Sequence, residues 1–171
     1  LLGSFFDISA YKEMEQELYR FRSVMSDANR QTRTLLVVDD QPINREILKK
    51  IFTPAFQILE AGDGQEALAV LAAAEPGAVD AILLDMVMPV MDGETFLHRK
   101  REDAAIADIP VIIVTADSST EKQINMLAIG AHDYIVKPLI PEVVKRRVNN
   151  VIESSTRFRT ILREYRDVVE Q

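Results

Sequence analysis

Thr34-Leu35-Leu36-Val37-Val38-Asp39-Asp40, Ala81-Ile82-Leu83-Leu84-Asp85 and Tyr134-Ile135-Val136-Lys137-Pro138 are built alike. In each, a run of aliphatic or aromatic residues ends abruptly on charge. A fourth run, Val111-Ile112-Ile113-Val114, ends on Thr115. Short β-branched runs separated by helix-like stretches read as strands buried on both faces of a parallel sheet. In a doubly wound sheet everything just past the carboxyl ends of the strands converges on one crevice. Three aspartates, a threonine and a lysine are therefore expected to meet there. Clustered carboxylates resist ionisation together, so the matching occupant is a hard divalent cation bound through oxygen.

The intervening segments fit that alternation. Strand one is predicted over Thr34–Asp39, and Pro42 can open a helix because its missing donor costs nothing in the first turn. Ile43, Ile47, Leu48 and Ile51 follow at helical spacing. Phe56–Ala61 is the second strand, and Gly62-Asp63-Gly64 turns the chain into a helix carrying Ala67, Leu68, Val70 and Leu71, ended by Pro76-Gly77. Ala81–Asp85 is strand three, with a helix from about Glu94 to Arg101 beyond a Met- and Pro-rich loop. Pro110–Thr115 is strand four. Ser118-Ser119-Thr120-Glu121 offers hydroxyls to cap the next helix, which closes at Gly130. His132–Lys137 is strand five, and Pro141-Glu142 opens the last helix. This pattern predicts an α/β domain with right-handed crossovers and helices on both faces.

Composition narrows the function classes. The 171 residues are 47% hydrophobic, enough for one domain with a sizeable core. No stretch approaches the roughly 18 uninterrupted apolar residues of a membrane span. The opening residues Leu1-Leu2-Gly3-Ser4-Phe5-Phe6-Asp7 lack the basic region of a signal peptide. With no cysteine, disulfides and thiolate metal sites are impossible, and a cytoplasmic location is the matching expectation. A formal charge of −7 argues against direct nucleic-acid binding by this segment.

The residues at the strand ends resemble the receiver domain of two-component response regulators. The resemblance rests on Asp39-Asp40, on Asp85-Met86-Val87-Met88-Pro89-Val90-Met91-Asp92-Gly93, on Thr115-Ala116, and on Gly130-Ala131-His132-Asp133-Tyr134-Ile135-Val136-Lys137-Pro138. It spans roughly residues 34–152. The resemblance implies a flavodoxin-like (βα)5 sheet of strand order 2-1-3-4-5. It implies that Asp85 accepts a phosphoryl group from a histidine kinase or phosphotransfer domain, with Mg2+ held by Asp39, Asp40, Asp85 and the backbone carbonyl of Val87. Asp39 would act mostly through water. Lys137 and Thr115 would each meet a phosphoryl oxygen, the Lys137-Pro138 bond would be cis, and Thr115 and Tyr134 would form the switch. Ala116 would leave room for the donor, while Val87 and Asp117 sit where the family tunes phosphoryl lifetime. The signal would leave through the domain's fourth helix, fifth strand and fifth helix. His98 and His132 read as structural, and Met86, Met88 and Met91 as loop packing.

Three other readings compete. An aspartyl-phosphate phosphohydrolase of the haloacid dehalogenase type also uses Mg2+, but needs a second Asp two residues after the nucleophile. Asp85 is followed by Met86-Val87. A flavodoxin-like cofactor binder wants a hydroxyl- or glycine-rich loop after strand one, where this chain has Asp-Asp-Gln-Pro. A purely structural interaction module would not need the registered polar residues. The expectation is a phosphoacceptor signalling domain without further enzymatic activity of its own.

The two ends carry a different pattern. Val144, Val148, Val151, Ser155, Phe158, Leu162, Tyr165 and Val169 alternate spacings of four and three, beyond what is needed to cover a sheet. Tyr11, Met14, Leu18, Phe21, Met25 and Ala28 do the same. Both suggest coiled-coil seams, and hence a homodimer through terminal helices. Residues 3–18 resemble the final strand and exit helix of a PAS sensor domain. The expected organisation is a linker helix over 1–33, a receiver over 34–152, and over 153–171 an extension of the fifth helix toward an output domain, the whole excised from a longer protein. Kinase, input signal and output are not legible in these residues.

Overall fold

The computed structural model describes the backbone of residues 8–29 and 32–171, and the side chains of residues 8–20 and 32–171. The chain divides into two units, residues 1–32 and 33–171. The first contains helix α1, Ile8–Asn29, on which Tyr11, Met14 and Leu18 are exposed. The side chains of Phe21, Met25 and Ala28, and the residues before Ile8 that carry part of the PAS-like pattern, lie outside the described residues.

The second unit alternates strictly: β1 Arg33–Val38, α2 Pro42–Phe52, β2 Phe56–Ala61, α3 Gly64–Ala73, β3 Ala81–Leu84, α4 Gly93–Glu102, β4 Val111–Thr115, α5 Thr120–Ile129, β5 Asp133–Val136 and α6 Pro141–Val169. The five strands are parallel and lie in the order β2-β1-β3-β4-β5. This is the flavodoxin-like, doubly wound order. Because side chains alternate across a strand, each aliphatic run feeds two cores. Leu36, Val38, Ile82, Leu84, Val111 and Ile113 face α3, α4 and α5, with Phe96 and Met126 filling the space between. Leu35, Val37, Leu83, Ile112 and Val114 face α2 and α6, against Phe52, Val144 and Val148. Two-sided burial explains why these strands are unbroken apolar runs and not alternating ones.

The structure corrects the sequence reading in three places. Strands one, three and five stop at Val38, Leu84 and Val136, so Asp39, Asp85 and Lys137 are the first residues past them, each still tied to the neighbouring strand by its N–H, which donates to the carbonyl of Ala61 (3.1 Å), Val38 (2.9 Å) and Thr115 (2.8 Å) respectively. On α2 the core contact is made by Leu48 and Phe52, while Ile43 and Ile47 stay exposed. The hydroxyl of Ser119 makes no capping bond to α5. The turn is organised instead by Asp117, whose charged carboxylate accepts from the Ser119 N–H (2.9 Å) and from Lys122 Nζ (2.7 Å). An ionised acceptor binds such donors more strongly than a neutral hydroxyl.

Helix α6 runs for 29 residues, and burial along it ends at Ile152. Beyond it the helix is exposed except at Ser155, Thr160 and Glu164, which are half-buried. Among the described residues, no helix is long and apolar enough to cross a membrane.

Candidate functional site

Parallel register brings the strand ends together. Val38 is paired with Leu84, and the Asp85 N–H donates to the Val38 carbonyl (2.9 Å). Asp39 and Asp85 therefore leave adjacent strands side by side. One oxygen from each of Asp39, Asp40 and Asp85 lies within 4.8 Å of the others. On the other side Thr115 is paired with Val136, and the Lys137 N–H donates to the Thr115 carbonyl (2.8 Å). Lys137 then reaches back so that its Nζ lies 3.7 Å from Asp39 Oδ2. The Lys137-Pro138 bond is cis, as the resemblance implied.

Each acid is held differently. Asp39 is buried, 3% exposed. Its Oδ1 accepts from the Gln41 N–H (2.8 Å) and from Asn44 Nδ2 (3.4 Å). Burial and the neighbouring Asp39 charge push the Asp85 carboxyl above its ordinary range, with Lys137 and the N–H groups of Val87 and Met86 opposing them. Asp39 and Asp85 thus share the Lys137 ammonium. A divalent cation with oxygen ligands fits this donor set, since the residues supply hard oxygens and surplus negative charge. Asp39, Asp40 and Asp85 bring the carboxylate oxygens that such an ion requires to one place.

The loop after Asp85 is shaped by two glycines. A Cβ at Gly93 would stand 2.7 Å from the Asp85 carbonyl oxygen and 2.7 Å from Met86 Sδ. At Gly64 the N–H donates to the Met91 carbonyl (2.9 Å), and a Cβ would meet Met91 Cγ at 2.8 Å. The loop is thereby clamped between the starts of α3 and α4. Asp92 caps α4 by accepting from the Thr95 N–H (2.8 Å), and this bond holds its carboxyl below the usual range. Met88 is buried, and Met86 and Met91 pack against the same core, in keeping with the packing role read from sequence. Val87 projects outward, 81% exposed.

Asp117 ties the two switch candidates together. Its N–H donates to Thr115 Oγ1 (3.1 Å), leaving the hydroxyl proton of Thr115 to point elsewhere. Its carbonyl accepts from the hydroxyl of the buried Tyr134. The pair with Lys122 and the Ser119 N–H lower the Asp117 carboxyl to about 2. His132 plays a structural part: its Nδ1 accepts from the Val111 N–H (3.2 Å) at the foot of the sheet.

The sequence reading missed Arg45. Its Nη1 donates to the Asp39 carbonyl (2.6 Å) and its Nε meets Glu60 Oε1 at 3.3 Å. The guanidinium thereby holds the backbone between Asp39 and Asp40. Its position one turn into α2, opposite an acid on β2, is the only sequence signal it leaves.

The model of the response regulator receiver domain matches residues 35–149. Over 121 residues the chain is 36% identical to the phosphate regulon transcriptional regulatory protein PhoB of Pseudomonas aeruginosa, covering 70% of this chain and 52% of that one. The chain spans about half the length, or less, of the curated relatives it matches. Chemotaxis protein CheY4 of Vibrio cholerae superposes with a TM-score of 0.65 at 31% identity, over 70% of this chain and 98% of that one. The receiver domain of sensor histidine kinase PA1611 from Pseudomonas aeruginosa gives 0.64 at 25% identity, over 71% and 98%, and holds a magnesium ion in its active-site cleft.

Proposed function

Since this chain belongs to the response regulator receiver domain family of two-component signal transduction, we propose that it is a phosphorylation-controlled switch whose phosphoacceptor is Asp85. The observation that carries this reading is the convergence of Asp39, Asp40 and Asp85 within 4.8 Å, with Lys137 closing the other side. An Asp85 carboxylate oxygen attacks the phosphorus of a phosphohistidine on a histidine kinase or phosphotransfer partner. The O–P bond forms as the P–N bond breaks, and the electron pair leaves with the imidazole nitrogen.

Mg2+, held by Asp39, Asp40, Asp85 and the Val87 carbonyl, would neutralise the charge that otherwise keeps a phosphoryl group away from these carboxylates. Lys137 pairs with one phosphoryl oxygen as a compact charge, and Thr115 donates its hydroxyl to another. Movement of Thr115 releases Asp117, and Tyr134 repacks with it. The changed surface is that of α5, β5 and α6. From there the signal passes along α6 to a fused output domain, and the terminal helices pair two copies of the chain.

The test is beryllofluoride, which mimics an aspartyl phosphate. With Mg2+ the protein should bind it and Asp85→Asn should not. Acetyl phosphate should label the protein but not Asp85→Asn; full labelling of that variant overturns the assignment. Lys137→Ala should still label slowly, without the accompanying conformational change.

A further inference from the structure

The geometry points to a second copy of this chain docking on the distal half of α6 through Phe158, Ile161, Tyr165 and Val168, in parallel. The seam is turned about a quarter turn from the stripe that covers the sheet. This sharpens the homodimer reading above and rests on it.

The sequence pattern suggested that the stripe of Val144, Val148 and Val151 simply continues as Leu162 and Val169. The fold argues otherwise. Val144 and Val148 are fully buried against the domain's own sheet. Leu162 lies 18 residues beyond Val144, which at 3.6 residues per turn is about five whole turns, so both point the same way. Leu162 and Phe158 accordingly line a cleft of about 390 Å3 at the foot of the domain, together with Asp108 and His132. A two-fold axis on that side would place both copies of the domain on the axis, in the same space.

At about 100° per residue, Phe158, Ile161, Tyr165 and Val168 fall between about 40° and 120° to one side of the core-facing direction. Ile161, Tyr165 and Val168 do not line the cleft at the domain's foot, while Phe158 stands at its edge, turned about 40° from Leu162. Phe158, Ile161, Tyr165 and Val168 are 63%, 55%, 70% and 72% exposed, against 47% for Leu162. Their spacings of three, four and three make them the a and d positions of two heptads.

Charge favours the same frame. With Phe158 and Tyr165 at a, the side chains of Arg159, Arg163 and Arg166 fall at b, f and b, facing solvent. With Leu162 at a, Arg159 and Arg166 would flank the seam at e, and Ile161 and Val168 would be left at its margin. Going up the helix, the turned stripe becomes Ser154 and then Arg147, which is engaged with Asp133 and the Tyr134 carbonyl. The seam therefore ends where the domain begins. An antiparallel pair burying all four residues would set Glu164 against Glu164 of the other copy, whereas a parallel pair sets Glu164 beside Val169. Two heptads bury less than the roughly 800 Å2 per partner of a standard interface, so the contact is weak and is best trapped covalently.

The chain has no cysteine, so single-cysteine variants of the whole chain report the seam directly. Ile161→Cys, Val168→Cys, Leu162→Cys, Val169→Cys and an outward control, Arg163→Cys, are all at exposed positions that folding does not depend on. Disulfides form only where Cα atoms approach to about 4.4–6.8 Å, so Ile161→Cys and Val168→Cys should cross-link about tenfold faster than the others under mild oxidation. Leu162→Cys or Val169→Cys leading would overturn the turned seam while leaving the homodimer reading intact. Val168→Cys at the control rate would overturn the parallel pairing. No variant above the control would overturn both the seam and the homodimer.

Discussion

Magnesium should stabilise this protein measurably, and the site's geometry sets how much. Asp39, Asp40 and Asp85 offer three carboxylates within 4.8 Å, but the cleft is open at Val87, so a bound cation keeps several waters. Such sites bind on the order of 1 mM. At about 10 mM Mg2+ the linkage RT ln(1 + [L]/Kd) is about 1.4 kcal/mol, provided the unfolded chain does not bind. For a domain of this size that corresponds to a rise in Tm of about 5 °C. The assay is thermal unfolding followed by circular dichroism, with and without the cation, on the protein and on Asp40→Ala. Asp40→Ala should lose the increment, because two carboxylates and a carbonyl cannot replace the missing ligand. The same increment in Asp40→Ala would refute the three-carboxylate site. Tight zinc binding untouched by that substitution would refute the hard-oxygen chemistry as well.

The raised Asp85 carboxyl makes a separate prediction without metal. A carboxyl whose folded pKa lies above its unfolded value opposes folding once ionised; the penalty is absent in acid and grows as pH rises through the folded pKa. Metal-free Asp85→Asn should therefore melt above the parent at neutral pH, with the gain vanishing below the ordinary carboxylate range, as a pH series of melts would show. Gly93→Ala puts a methyl 2.7 Å from the Asp85 carbonyl oxygen; it should cost about 1–3 kcal/mol in denaturant unfolding and slow labelling by acetyl phosphate. Phe96→Ala, at a fully buried position, should cost about 3–5 kcal/mol by the same measurement.

Much of this protein could be read without coordinates. Buried parallel strands must be apolar on both faces, so the runs ending at Val38, Leu84 and Val114 announced themselves, and the alternation with helices limited the topology. Asp39, Asp40, Asp85, Thr115 and Lys137 were legible because strand ends converge in any such sheet. Other features depend on distances that no local pattern encodes. Arg45 could not be assigned, because its role depends on where Glu60 and the Asp39 carbonyl arrive from another strand. Ser119 looked like a cap until the fold placed the stronger acceptor, Asp117, beside it.

The helix that ends the chain separates the two kinds of information most clearly. Sequence periodicity alone predicted one long helix from Pro141 onward with apolar residues at heptad spacing, and the helix runs to Val169. Periodicity assigns residues to a stripe but says nothing about what already occupies the side that stripe faces. Only the packed domain decided that Val144, Val148 and Val151 are spent on the sheet, that Leu162 points toward the domain's own foot, and that the face of Ile161 and Val168 is open. The physical reason is that a helix is rigid. Once its upper half is fixed against a core, every direction along its lower half is fixed with it, and the tertiary contacts above choose which stripe below remains available.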